Sequence, residues 1–86
     1  MDEFERRASA VTDAIEEKLG VKNLTSEIFA DHAIWQSRAH RGVARPDEDG
    51  LHVTVVFDRG AGHRYALRDG VRDAVAEITG RLLGLG

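Results

Sequence analysis

Between Gly50 and Gly84 the chain alternates, turns, and then changes period. Residues 51–58 put Leu51, Val53, Val55 and Phe57 on one side of an extended strand and His52, Thr54, Val56 and Asp58 on the other. A period of two belongs to a strand that buries one face. Turn residues follow at Arg59, Gly60, Ala61 and Gly62. From residue 69 the pattern becomes helical, with Val71, Ala74, Val75, Ile78 and Leu82 at three- and four-residue spacings. A half-buried strand beside a one-striped helix restricts the chain to a layered α+β domain in which helix covers sheet.

The flanking segments extend this plan. Asp2 stands in a capping position with Glu5 three residues on, and Phe4, Ala8, Val11, Ile15 and Leu19 form one apolar stripe. Gly20 occupies the place of a left-handed C-cap. The stripe is too short for a heptad seam and is assigned to the core. Residues 25–40 suit two readings, because Ile28, Phe29, Ala33, Ile34 and Trp35 would cover most of a helix's circumference. The strand reading is adopted, from about residue 27 to residue 39. Ile28, Ala30, His32 and Ile34 then share one face, and Phe29, Asp31, Ala33 and Trp35 the other.

Arg45-Pro46-Asp47-Glu48-Asp49-Gly50 is the strongest turn signal and predicts a hairpin into residues 51–58. A short third strand is expected at residues 63–67, returning from the glycine turn. Gly80, inside the last helix, weakens it by about 1 kcal/mol relative to alanine, so another element is expected to pack closely there. The predicted architecture is one domain over residues 1–86: helix, three-stranded antiparallel meander, helix, with both helices packed on one face of the sheet.

Eighty-six residues are just enough for one unstapled core, and with no cysteine that core must hold by packing alone. No apolar run approaches the roughly 18 residues of a membrane span, and no signal-peptide core follows Met1, so a cytoplasmic location is expected. The net charge of −3 is unevenly spread. Residues 1–37 carry eight acids against four bases, while residues 38–72 carry seven arginines against five acids. Arginine suits bidentate contacts to carboxylate or phosphate, although a GC-rich genome also favours it.

Candidate chemistry is sparse. His32, His40, His52 and His63 are too widely spaced for a metal-ligand motif, and no thiolate completes a set. Gly60-Ala61-Gly62 has the look of a phosphate loop, but several strand-like residues separate it from the helix, and a hairpin turn explains it better. Ser37 lies three residues before His40, without a nucleophile-elbow motif. The carboxylates sit on solvated helix faces and in one turn. No catalytic residue, metal or cofactor is therefore expected, and the chain reads as a non-enzyme.

Two families come into view at the strand and last helix. Gly50-Leu51-His52-Val53-Thr54-Val55-Val56-Phe57, followed by Val71-Arg72-Asp73-Ala74-Val75-Ala76-Glu77-Ile78-Thr79-Gly80, resembles the alkaline shock protein family over about residues 50–80. That resemblance implies a self-associating, non-catalytic module. The helix–three strands–helix order is similar to that of YbaB-type nucleoid-associated proteins, which implies a DNA-binding dimer.

The leading expectation is a small protein-interaction or oligomerisation module, pairing with itself as a homodimer or with another protein. Two helices cover one face of the sheet, which leaves Phe29, Trp35 and Val56 as interaction residues on the other. The rival is a nucleic-acid binder using an arginine band at Arg38, Arg41, Arg45, Arg59 and Arg64, with Trp35 and Tyr65 as stacking residues. A third expectation is an acidic inhibitor of a larger complex, docking through the first helix.

Overall fold

The computed structural model describes residues 3–58, 60–67 and 72–84. Expectations at Asp2, Arg59 and residues 69–71 lie outside them. The chain forms α1 (Glu3–Leu19), a 3-10 turn (Val21–Asn23), β1 (Thr25–Ile28), β2 (Ala33–Gln36), β3 (Arg41–Pro46), β4 (His52–Phe57), β5 (Gly62–Ala66) and α2 (Arg72–Leu82). The strands make one antiparallel meander in the order β1-β2-β3-β4-β5.

The sheet has five strands, not three. The single strand expected over residues 27–39 is a hairpin. The Phe29 amide donates to the His32 carbonyl at 2.8 Å, turning the chain at Ala30 and Asp31. A second turn closes when the Ser37 amide donates to the His40 carbonyl at 2.9 Å, and the Ala39 and His40 amides donate to the Ser37 hydroxyl. Neither turn contains glycine or proline. The chain then runs back as β3, which lacks the usual strand formers except Val43.

β3 exists because of what it faces. Trp35 pairs with Gly42, and Gly42 with Phe57 on the far side. A methyl group at residue 42 would come within 3.1 Å of both the Phe57 ring and Val55. Ala33 and Ala44, paired next to them, are fully buried. Three small positions thus stand beside the indole on the inner face, and the space at Gly42 is taken by Phe57 and Val55. Trp35 is 1 % exposed, and its Nε1–H donates to the Thr12 hydroxyl at 2.8 Å. Thr12 in turn donates to the Ala8 carbonyl. This chain of two hydrogen bonds joins the sheet to α1 in the middle of the core.

Both helices contribute to that single core. From α1 come Phe4, Ala8, Val11, Ile15 and Leu19, and from α2 Val75, Ile78 and Leu82. They meet Val53, Val55, Tyr65 and Leu67 with the β2 and β3 residues just described. The predicted phase holds for Val53, Val55 and Phe57 in β4 and for both helical stripes among the described residues, whereas Leu51, expected inward, lies just before the strand and is 51 % exposed. Gly20 has the positive φ expected of a cap, 88°, but its ψ of 139° is extended rather than left-handed helical. Gly80 departs from expectation, since a methyl group there would meet nothing within 4 Å. Gly80→Ala should therefore raise stability by about 0.5–1 kcal/mol, read as a higher urea midpoint with unchanged slope.

Candidate interaction face

Strand alternation gives this sheet a second face, which carries no core residue. Its central row runs across all five strands. Glu27 pairs with Ile34, Ile34 with Val43, Val43 with Val56, and Val56 with Gly62. Three aliphatic side chains in line thus cross the middle of a face that neither helix covers among the described residues. Val56 is 36 % exposed, while Ile34 and Val43 are half-buried by their neighbours.

Polar rows border the aliphatic one. On one side Gln36 pairs with Arg41, whose carbonyl accepts the Asp58 amide. On the other side Arg45 pairs with Thr54, and Thr54 with Arg64. Continuing the β2–β3 register one step brings His32 beside Arg45. The His32 ring stacks on Phe29 with centroids 4.5 Å apart and planes 19° off parallel, and Phe29 remains 42 % exposed.

The structure therefore divides the expected interaction residues. Val56 and Phe29 lie on or beside the open face. Trp35 points the other way into the core, so its expected outer position is corrected and no partner can reach it. Tyr65 is also buried, and with Trp35 it is lost as a stacking platform. Val43, which nothing in the sequence singled out, stands at the centre of the face.

The arginine band is likewise divided. Arg38 is exposed on the β2–β3 turn. Arg41, Arg45 and Arg64 share the open face, but Arg64 is held by Asp47 at 2.6 Å and by Asp49 at 2.7 Å. Arg59 lies outside the described residues. Arg41 and Arg45 have no side-chain ion pair among the described residues, although Asp31 at the hairpin tip feels the Arg45 charge. The acidic side of α1 is partly neutralised too, with Glu3 bound to Arg6 and Arg7.

The β3–β4 loop folds back onto the face as an acidic clasp. Asp47 accepts from the Thr54 hydroxyl as well as from Arg64. Asp49 accepts the Leu51 and His52 amides and pairs with the His52 ring at 2.8 Å. The Leu51 amide foremost, with His52, takes the Asp49 carboxyl from 3.8 down to about 2. A depressed carboxyl stabilises the fold above its ordinary value, and the contribution fades as pH falls towards 2. Thermal melts of wild type and Asp49→Asn should differ at pH 5–6, and the difference should shrink between about pH 4 and pH 2.

Ser37, His40 and Asp58 gather at the opposite end of the sheet. His40 Nδ1 lies 2.5 Å from Asp58, and this bond, followed by the Arg41 amide, holds the Asp58 carboxyl below its ordinary value. The Ser37 hydroxyl instead donates to the Leu82 carbonyl and accepts the two turn amides. It works as a turn brace tied to the end of α2, with no hydrogen bond to the imidazole. Among the described residues no group of three or more His, Cys, Asp or Glu is arranged to hold a metal ion, and no helix is long and apolar enough to cross a membrane. No family model, curated protein or solved structure matches the chain.

Proposed function

We propose that the protein is a non-enzymatic interaction module and that the open face of its sheet is the docking surface. One observation carries this reading: the aliphatic row Ile34–Val43–Val56 crosses a face that neither helix covers. A sheet normally buries such a row against another layer. Phe29, exposed at the corner of the same side, adds an aromatic anchor of the kind that dominates interface energies.

Another protein suits this face better than a second copy of the chain. A two-fold axis in the sheet plane that lays the row on itself also lays β3 on β3. Arg41 and Arg45 of one copy would then oppose those of the other, and like charges across an interface are unfavourable. Nucleic acid is also less well served, since Arg64 is already neutralised and aspartates rim the face.

Val43→Asp tests the reading, because it puts a charge at the centre of the row and leaves the core untouched. Wild type should run as a 9.5 kDa monomer in light scattering and should retain a partner on an affinity column. The variant should lose that partner while keeping the wild-type circular dichroism spectrum. An identical set of retained proteins for both chains would overturn the proposal.

A further inference from the structure

β3 is the middle strand, and its outward residues are Arg41, Val43 and Arg45 in succession. Alternate residues of a strand lie about 6.6 Å apart, so the two arginines stand roughly 13 Å apart with the aliphatic row passing between them. Both are exposed and lack an ion-pair partner among the described residues, whereas Arg64 on the same face is clasped twice. Covering this face would strip water from two guanidinium groups that have no ion pair among the described residues. That is strongly unfavourable unless the covering surface supplies acceptors.

Resting on the reading of this face as a docking surface, we propose that its partner is an acidic amphipathic helix of another protein. The helix lies along the aliphatic row with carboxylates on both flanks. Ile34 to Val56 spans two strand spacings, about 9.6 Å. Seven residues of α-helix rise about 10.5 Å, so an apolar stripe at positions one, four or five, and eight meets all three side chains. The positions bordering that stripe on either side then deliver acids to Arg41 and to Arg45.

Other occupants fit less well. A second copy of the chain opposes arginine with arginine. The chain's own acidic helix, α1, has its apolar stripe buried in the core and cannot turn it outward. Nucleic acid offers phosphates without an apolar stripe and would leave the aliphatic row unmatched. A basic or neutral helix would bury the arginines without acceptors, so the face rejects it as well as favouring the acidic one.

A display library of random 18-residue peptides, selected on the immobilised full chain, tests the assignment. Wild type should enrich sequences with a helical apolar stripe flanked by Asp and Glu, and Val43→Asp should enrich none of them. The leading peptide, followed by fluorescence anisotropy, should bind Arg41→Glu and Arg45→Glu about tenfold or more weakly each, and should weaken with added salt. Enrichment of neutral or basic stripes that still depends on Val43 would overturn the acidic helix and leave the docking surface standing. Absence of any Val43-dependent enrichment would remove both. A 20-base-pair DNA duplex that outcompetes the peptide, or a dimer in light scattering that Val43→Asp dissolves, would overturn the proposal in favour of nucleic acid or of a second copy.

Discussion

Trp35→Ala should lose about 3–5 kcal/mol of folding stability, which is most of what a domain this small possesses. The indole is the largest fully buried side chain, and the sheet is narrowed to glycine and alanine around it. Its removal leaves a void that Ala33, Gly42 and Ala44 are too small to fill. Urea unfolding followed by circular dichroism is the suitable measurement, because the substitution removes the chain's only tryptophan. Thr12→Val is the finer probe. It keeps the volume but leaves the Trp35 Nε1–H buried without an acceptor, at a cost of about 1–3 kcal/mol. In the Trp35→Phe background Thr12→Val should lose less, since no indole donor remains to be orphaned. Equal losses in the two backgrounds would mean that the Trp35–Thr12 bond contributes nothing.

The helices and β4 were legible because their apolar residues repeat with one period and leave the other side polar. Residues 27–39 carry apolar side chains on both sides of any extended reading. Alternation correctly joined Ala33 with Trp35, but it could not say which side was inward. The decision lay outside the segment, in a threonine on α1 and in the small residues of β3. Those small residues hid β3 itself, since Gly42, Ala44 and Pro46 read locally as loop. The open face shared that fate. Val56 stood out as an aliphatic residue on a polar side, whereas Val43 gains meaning only when residues 41–46 become the strand between Ile34 and Val56. Arg41 and Arg45 were visible as residue types, but their separation from Arg64 depends on the fold of the Asp47–Gly50 loop.

Gly42→Val should be the most damaging substitution on β3, even though valine is among the best strand residues and glycine among the poorest. The backbone at this position is ordinary strand, so conformational freedom is not what glycine supplies. It supplies space: the first added carbon already meets Phe57 and Val55 at 3.1 Å, and Trp35 stands opposite on β2. Overpacking of this kind costs about 1–3 kcal/mol, and here it has to outweigh a gain in strand propensity that is smaller than about 1 kcal/mol. Gly42→Ala should show the same sign with a smaller loss. Phe57→Leu should relieve part of the strain, so the Gly42→Ala, Phe57→Leu double variant should be more stable than the sum of the single losses, as read from urea midpoints. Because residue 42 points inward, partner binding at temperatures where Gly42→Ala remains folded should match wild type, while Val43→Asp, one residue along the same strand, should lose binding and stay folded. Adjacent residues would then separate the two faces of the sheet, with stability following the inward side and recognition the outward one. A Gly42→Val chain as stable as wild type would refute the packing argument for β3.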